Sequence, residues 1–249
     1  MVERLKHTRN FAKLLASLLL TLAMTNVSQA QDGSRVLLPL LPETWQEVKL
    51  NDSLKPNQYR FLNTADSPVI EIDSAGSMSL LARPISIDLE TTPVLCWRWR
   101  INRVLETADM TNRQGDDYAA RLYLSFEIPT DQQSFGLRLQ LGLARAIWGN
   151  NVPDGAINYV WDNRQPVDTR MPNAYTDRVT MIVVQTGDQN VGQWVWQWRN
   201  VKRDMNEYFP ASSKLIQIAL AADTDNTGES VRAEFSGLQF VHEGSACPS

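Results

Sequence analysis

Apolar side chains at every second position are the feature that most constrains the fold of this chain. Residues 117–127 have one apolar and one polar set, with Tyr118, Ala120, Leu122, Leu124 and Phe126 alternating with Asp117, Arg121, Tyr123, Ser125 and Glu127. Successive side chains of a strand point to opposite faces, so this pattern predicts a core face and a polar face. The same period recurs along the chain without a long helical face, which predicts an all-β fold.

Frequent turn residues divide this pattern into short segments. Candidate strands are residues 69–72, 78–82, 94–101, 118–127, 135–144, 156–161, 178–186, 193–199, 215–221 and 232–242. About ten strands suit two stacked sheets better than one open sheet, so we predict a two-sheet antiparallel β-sandwich of the jelly-roll or concanavalin-like kind. One short helix is predicted over residues 201–209, with Asn200 as its N-cap.

The amino terminus has the order of a secretory signal peptide. Basic residues precede an apolar run over residues 14–24, and the small residues Ser28 and Ala30 fit a cleavage site before Gln31. The alternative is an uncleaved membrane anchor, but the run is shorter than the roughly 18–20 residues of a spanning helix. We therefore predict a signal peptide over residues 1–30, a single β-sandwich domain over 31–249, no membrane span in the mature chain, and a periplasmic or secreted location.

The charge of the mature chain argues against two classes of partner. The whole sequence has 24 Lys and Arg against 28 Asp and Glu, and residues 1–30 hold four of the basic and one of the acidic side chains, which leaves 20 against 27 and a net charge of −7. Nucleic acid and anionic lipid are therefore poor candidate partners.

The two cysteines leave two alternatives open. Cys96 lies inside an apolar run and Cys247 lies in a polar tail at the end of the chain. An oxidising compartment would permit a disulfide that fixes the tail to the body of the domain. The alternative is a buried free thiol at Cys96 and an exposed thiol at Cys247.

Tryptophans share strand faces at two places. Trp97 and Trp99 form one pair, and Trp194, Trp196 and Trp198 form a stripe of three. Such aromatics either fill the core or form a platform on which sugar rings stack, and core packing is the more common use. A sugar platform requires Trp148, Trp161 or the stripe to be exposed.

Four separated motifs follow one another along the mature chain. They are Gly115-Asp116-Asp117-Tyr118-Ala119-Ala120-Arg121-Leu122-Tyr123 with Phe126, then Tyr159-Val160-Trp161, then Trp198-Arg199-Asn200-Val201 followed by Asp204, and Asp223-Thr224-Asp225-Asn226-Thr227-Gly228. In this order they resemble a bacterial exported family catalogued as domain of unknown function 3047, over most of the mature chain. The resemblance implies a compact β-sandwich and no particular chemistry.

The last of these motifs has the spacing of a calcium loop. Asp223, Asp225, Thr227 and Glu234 stand at positions one, three, five and twelve, with Gly228 at position six. Calcium prefers such oxygen ligands, so these four residues are the candidate metal site. The residues before and after this loop have the pattern of strands, which argues against a helix-loop-helix calcium site. The alternative is a tight turn in which Gly228 has a positive φ.

Further polar and aromatic residues are candidates for contacting a ligand: Asp116, Asp117, Arg121, Tyr123, Trp161 and Arg199. Adjacent carboxylates at the start of a strand are able to bind an ion or a hydroxyl group, and an arginine on the same face is able to hold one of them. The alternative for Asp117 and Arg121 is a structural ion pair. The alternative for Arg199 is a pair with Asp204 that fixes the short helix to the sheet.

The sequence assigns no catalytic residue. His242 is the only histidine after residue 30, and no serine stands in a nucleophile-elbow pattern. A mechanism with two carboxylates remains open. Three functions therefore compete: a non-catalytic carbohydrate-binding module of the cell envelope, a glycan-active hydrolase or lyase, and a structural module that binds an envelope protein. Calcium is a possible cofactor.

Overall fold

Thirteen β-strands form the frame of the part of the chain that the structure describes. This computed structural model describes residues 35–49, 53–138, 141–142 and 153–248. The strands are β1 (Arg35–Leu37), β2 (Gln46–Val48), β3 (Gln58–Asn63), β4 (Pro68–Ala75), β5 (Leu80–Pro84), β6 (Val94–Ile101), β7 (Tyr118–Glu127), β8 (Gly155–Asp162), β9 (Arg170–Asn173), β10 (Thr176–Thr186), β11 (Val195–Asn200), β12 (Lys214–Asp223) and β13 (Ser230–Val241).

The strands belong to two sheets that share one hydrophobic core. A six-stranded sheet has the order β11-β6-β13-β4-β3, with β1 also paired to β13, and a seven-stranded sheet has the order β2-β5-β12-β7-β8-β10-β9. Buried side chains of both sheets form the core cluster, including Trp97 and Phe240 from the first sheet and Leu122 and Ile218 from the second. The all-β, two-sheet sandwich is confirmed, whereas its jelly-roll or concanavalin-like topology stays a prediction.

The prediction that both sheets are wholly antiparallel is wrong in one place. Strands β8 and β10 pair in parallel, with Val179 opposite Ala156. After β8 the chain returns as β9 and then turns into the space between the two, so β10 lies antiparallel to β9 and parallel to β8. The chain reverses direction at each step, but β9 lies one strand position away from β8, and β10 fills the position between them in the same direction as β8.

The short helix begins and ends close to its predicted bounds. It spans Val201–Tyr208, and the Asn200 side chain accepts the Arg203 backbone N–H at 2.9 Å. Asp204 of this helix has a buried carboxylate that pairs with Arg199 of β11. The Arg199 Nε donates to Asp204 Oδ2 at 3.0 Å, and its Nη2 donates to Asp204 Oδ1 at 2.9 Å, which fixes the helix to the strand. Arg199 therefore holds the helix, as the structural alternative states.

The strand predicted over residues 135–144 is wrong. Residues 135–138 and 141–142 are helical. Ser134 caps this helical segment, because its hydroxyl accepts the Leu137 backbone N–H at 3.1 Å. No helix in the described ranges has the length and hydropathy of a membrane span.

Cys96 and Cys247 form a disulfide with a Cα–Cα distance of 5.8 Å. Cys96 is fully buried on β6, where it packs with Val94 and Val241. The bond fixes the carboxyl-terminal tail to the six-stranded sheet, so the alternative of two free thiols is wrong.

Candidate functional site

A cleft of about 500 Å³ opens on the face of the seven-stranded sheet that is turned away from the core. Leu122 and Leu124 of β7 point into the core, and Arg121 and Tyr123 alternate with them and line the cleft. Residues of β9, β10 and β12 and of the loops at one end of the sheet complete it. We call this cleft the sheet cleft; its lining includes Lys49, Asp116, Arg121, Tyr123, Asn173, Tyr175, Arg178, Asp223, Asp225 and Asn226.

A β-bulge decides which side chains of β7 face the cleft. Arg121 pairs with Ala221 of β12, but Tyr118 pairs with Asp223, so two residues of β7 stand opposite Ala222. The extra residue reverses the alternation, and Tyr118 lies on the same side as Arg121, with its ring centre 4.9 Å from the guanidinium carbon. The alternation predicted Tyr118 on the core face, which is wrong because a bulge is not visible in it; Tyr118 is buried in a separate apolar cluster with Val160 and Met181.

Arg121 and Asp223 form a buried ion pair in the sheet cleft. Their side chains are only 5% and 4% exposed. Burial raises the pKa of Asp223 well above its ordinary value; the charge of Arg121 opposes this rise, and the nearby carboxylates of Asp225 and Asp117 add to it. Burial also acts to lower the pKa of Arg121, but the charges of Asp223 and Asp116 outweigh it and raise that pKa.

Each member of this pair keeps one atom without a partner. The Arg121 Nε and the Asp223 Oδ1 have no hydrogen-bond partner among the residues that the structure describes. An unpaired buried polar atom costs roughly 1–3 kcal/mol, so both atoms favour a bound group at this point.

Asp117 connects the start of β7 to the loop after β12. Its two carboxylate oxygens accept the backbone N–H groups of Asn226, at 3.2 Å, and Thr227, at 2.7 Å. Burial raises the pKa of Asp117, and the hydrogen bonds from Thr227 and Asn226 oppose that rise. Oxygen atoms of Asp117, Asp223 and Asp225 lie within 4.8 Å of one another. We call these three residues the acidic cluster.

The acidic cluster lacks two residues of the predicted metal site, Glu234 and Thr227, and adds a third, Asp117. Glu234 lies on β13 of the other sheet, where it receives hydrogen bonds from Arg100 at 2.5 and 2.7 Å, so its assignment as a ligand is wrong. Thr227 gives its backbone N–H to Asp117, and its hydroxyl accepts the Glu229 backbone N–H at 3.3 Å. The missed member, Asp117, lies more than a hundred residues before the loop, beyond the reach of a spacing pattern.

The loop itself is the tight turn that the alternative interpretation predicts. Gly228 has a φ of +72° and donates its N–H to the Thr224 carbonyl at 2.9 Å. Thr224 is fully buried, and its hydroxyl bonds the Ser74 hydroxyl at 2.7 Å. This anchoring holds Asp223 and Asp225 at the end of the sheet cleft.

Asp116 lies in the sheet cleft with both oxygens engaged. Its Oδ1 accepts the Tyr118 hydroxyl and its Oδ2 accepts the Asn173 amide, each at 2.8 Å. Burial raises the pKa of Tyr118, and the charge of Asp116 adds to this. Asp116 therefore joins β7 to β9 across the cleft.

Two tyrosines supply the aromatic surface of the sheet cleft. Tyr123 was a candidate from the sequence, whereas Tyr175 was missed because it follows a short edge strand with no detectable period. Tyr175 is 52% exposed. Its hydroxyl donates to the Arg113 carbonyl at 3.2 Å and accepts the Asn226 amide at 2.9 Å, which fixes the ring at the rim.

None of the tryptophans in the described ranges lines the sheet cleft. Trp161 is 1% exposed and packs against Trp99 in the core at 5.8 Å between ring centres, so its candidacy as a ligand contact is wrong. Core packing is confirmed for Trp97 and Trp99, both fully buried. Trp148 lies outside the described residues.

The stripe of three tryptophans lies on the outer face of the six-stranded sheet. Trp196 and Trp198 stand on its edge strand β11, opposite Arg98 and Cys96. Trp198 is 62% exposed, and the Arg98 guanidinium lies 4.7 Å from the Trp194 ring centre. The core interpretation of this stripe is therefore wrong, and the stripe faces away from the sheet cleft.

Comparisons with known proteins identify one family and several distant folds. A profile of the family described as "Protein of unknown function (DUF3047)" matches residues 43–239. No curated protein matches the chain. A metagenome-derived glycoside hydrolase family 12 endoglucanase is 10% identical, with a TM-score of 0.41, covering 80% of this chain and 96% of the endoglucanase.

Two further solved structures give similar values. Endoglucanase cel12A from Rhodothermus marinus is 9% identical with a TM-score of 0.41, covering 79% of this chain and 97% of that enzyme. The xyloglucanase domain of NopAA, a type three effector from Sinorhizobium fredii solved in complex with cellobiose, is 7% identical with a TM-score of 0.39, covering 80% and 98%. At these values the names of the enzymes carry no activity over to this chain.

Proposed function

The chain belongs to the family described as protein of unknown function (DUF3047), and we propose that it is a carbohydrate-binding protein whose ligand lies in the sheet cleft. The observation that carries this proposal is a charge-balanced cleft that combines exposed tyrosine surface with an unpaired buried donor. The predicted signal peptide and periplasmic or secreted location remain predictions, and they would bring the cleft to glycans of the cell envelope.

Charge balance in the lining favours an uncharged ligand. Three carboxylates line the cleft, those of Asp116, Asp223 and Asp225, and three basic side chains line it as well, those of Lys49, Arg121 and Arg178. A site for phosphate or another polyanion would carry a clear excess of positive charge. A volume of about 500 Å³ is within the range of small-molecule sites.

Aromatic surface in the cleft favours a ligand with both apolar and polar parts. Tyr123 and Tyr175 both line it, and Tyr175 is held at the rim by hydrogen bonds to Arg113 and Asn226. A sugar ring presents C–H groups on its face and hydroxyl groups around its edge, which matches aromatic rings set among polar side chains.

The open Arg121 Nε favours a ligand oxygen. This donor is buried on a side chain that lines the cleft, and no described residue accepts from it. A sugar hydroxyl is able to accept from Arg121 and at the same time donate to a carboxylate, whereas a carboxylate ligand can only accept. Further hydrogen-bonding groups in the lining are the exposed part of Asp225 and the side-chain amides of Asn173 and Asn226.

Glycan hydrolysis by paired carboxylates is the second candidate. Asp223, with its raised pKa, lies beside the more exposed Asp225, and such a pair resembles an acid and a base in a cleft. We rank it lower because the charge and hydrogen bond of Arg121 hold Asp223 and because Asp117 is occupied by backbone N–H groups. A further carboxylate of β7, Glu127, stands at the far end of the strand, opposite Lys214, and is not part of this pair.

A module that only binds an envelope protein receives less support. Such a module would present a long uncovered edge strand and no concave pocket. The described part of the chain contains the sheet cleft, and the exposed edge strands β2 and β9 of that sheet have only 3 and 4 residues. A protein partner would have to use the six-stranded sheet instead.

The test is a thermal-shift and calorimetric screen of the purified protein against envelope and plant polysaccharide fragments. A ligand that binds only the folded state raises the melting temperature. For the best fragment, Tyr175→Ala should weaken binding about tenfold, equivalent to about 1.4 kcal/mol, and Trp198→Ala should leave it unchanged. Weakening by Trp198→Ala alone would move the site to the outer stripe and contradict the proposal.

A reducing-end assay on the same fragments separates binding from hydrolysis. We expect no new reducing ends over hours at saturating ligand. Turnover that disappears in Asp225→Asn would instead establish the second candidate.

A further inference from the structure

The acidic cluster brings three carboxylates together at the end of the sheet cleft, more than the carbohydrate proposal requires. Asp117 stands at the start of β7, Asp223 ends β12, and Asp225 lies two residues further in the following loop. In the described part of the chain, Arg121 is the one basic side chain within ion-pair distance of these three carboxylates. When ionised, the group therefore carries more negative charge than its neighbours neutralise.

The open oxygen of Asp223 is an independent sign of a missing partner. The Asp223 side chain is 4% exposed, its Oδ2 is held by Arg121, and its Oδ1 has no donor among the described residues. Water has little access to so buried an atom, so the lost hydrogen bond is not replaced from solvent. A cation satisfies this oxygen and the charge of the cluster together.

From the open oxygen and the spacing of the carboxylates, we propose that Asp117, Asp223 and Asp225 bind one calcium ion at the end of the sheet cleft. The oxygens lie within 4.8 Å of one another, which is no wider than the span of two ligands on opposite sides of one calcium ion at about 2.4 Å. Calcium takes 6–8 oxygen ligands, so backbone carbonyls or water complete the shell. Three carboxylates predict weak binding, with a Kd of about 0.1–1 mM.

Two of the three ligand carboxylates are held in place before an ion arrives. The Asn226 and Thr227 N–H groups fix the Asp117 carboxylate, and Arg121 fixes that of Asp223. Thr224, buried between the last two ligands, anchors the loop to Ser74 and Ser77. Binding therefore requires little rearrangement, and it joins β7 to the loop after β12.

The experiment titrates calcium into chelator-treated full-length protein without any glycan. Isothermal calorimetry should give one site per chain, and 10 mM CaCl₂ should raise the melting temperature by roughly 4–7 °C. Magnesium at the same concentration should give less than half of that shift, because it demands a tighter octahedral shell.

Variants locate the ion. Asp225→Asn should lose the calcium shift and bind at least tenfold more weakly, and Asp223→Asn should do the same. Asp66→Asn, which changes an exposed carboxylate in the β3–β4 turn, should keep the full shift. Absence of any shift in the wild type up to 10 mM, or an unchanged shift in Asp225→Asn, would overturn the proposal. The glycan screen is scored separately, so either proposal is able to fail alone.

Discussion

The Asp204 carboxylate, fully buried on the helix, receives two hydrogen bonds from Arg199 of β11, at 3.0 and 2.9 Å. The Tyr159 hydroxyl donates to the same carboxylate at 2.8 Å. Burial acts to lower the pKa of Arg199, but the hydrogen bonds and the negative charge of Asp204 outweigh it and raise that pKa. The helix is thereby attached to both sheets at one point.

Asp204→Asn should lower the free energy of unfolding by about 3 kcal/mol, because Arg199 loses its buried counter-ion and keeps only the exposed carboxylate of Asp168. Lys202→Ala on the same helix removes a partner of the exposed Glu90 and should change stability by no more than about 0.5 kcal/mol. Urea denaturation of both variants measures the difference. Equal losses would show that Arg199 does not anchor the helix.

Loss of the disulfide should destabilise the protein through its unfolded state. Cys96 and Cys247 are separated by 151 residues, so the bond closes a long loop. Closing such a loop contributes roughly 2–5 kcal/mol, and a reductant should lower the melting temperature by about 5–10 °C. In Cys96→Ala/Cys247→Ala the reductant should have no further effect. A wild-type melting temperature that does not respond to complete reduction would contradict this.

The Glu229 carboxylate should contribute an acid-sensitive part of the stability. Burial acts to raise its pKa, but the backbone N–H groups of Thr107 and Glu106 and the Thr107 hydroxyl outweigh it and lower that pKa below 4.5. A lowered pKa in the folded state gives stability that is present above the unfolded value and lost as pH falls through the folded value.

Glu229→Gln should therefore be less stable than the wild type at pH 7 and should lose less stability below about pH 4.5. Unfolding curves at a series of pH values from 3 to 7 measure the two slopes. Glu106→Gln is the control, because that side chain is 78% exposed and its ion pair with Arg103, at 3.3 Å, lies at the surface. Parallel slopes in the wild type and Glu229→Gln would contradict the assignment.

Strands with full alternation could be predicted from the sequence, and short ones could not. The bounds of β6 and β7 are residues 94–101 and 118–127, as predicted, because large apolar side chains alternate over their whole length. The strands β1, β2 and β9 have 3 to 4 residues, too few to show a period. In the 135–144 segment, Leu137 and Leu141 stand four residues apart and satisfy a helical face as well as a strand.

The site was predictable only as separate pieces. Local motifs identified Asp117, Arg121, Asp223 and Asp225 as candidates. Their convergence depends on the β7–β12 pairing and on the bulge opposite Ala222, neither of which leaves a mark in the sequence. Spacing alone added Glu234 to the site, because the calcium pattern assumes a helix after the loop and the chain continues as β13.

Arg121 and Asp223 should prove strongly coupled in a double-mutant cycle. Arg121→Gln alone leaves a buried carboxylate beside two others, and Asp223→Asn alone leaves a buried guanidinium, so each should cost about 3–5 kcal/mol. The double variant should lose less than the sum by about 2–3 kcal/mol, since it removes both charges together. Chelator in every buffer keeps calcium out of the comparison.

Lys202 of the helix and Glu90 provide the exposed comparison pair. Their side chains are 33% and 73% exposed, so the cycle of Lys202→Gln and Glu90→Gln should give a coupling below about 1 kcal/mol. A coupling of similar size at both pairs would mean that burial does not strengthen the Arg121–Asp223 contact. Additive losses at Arg121 and Asp223 would mean that the pair does not form, and their open atoms would then give no support to a bound ligand.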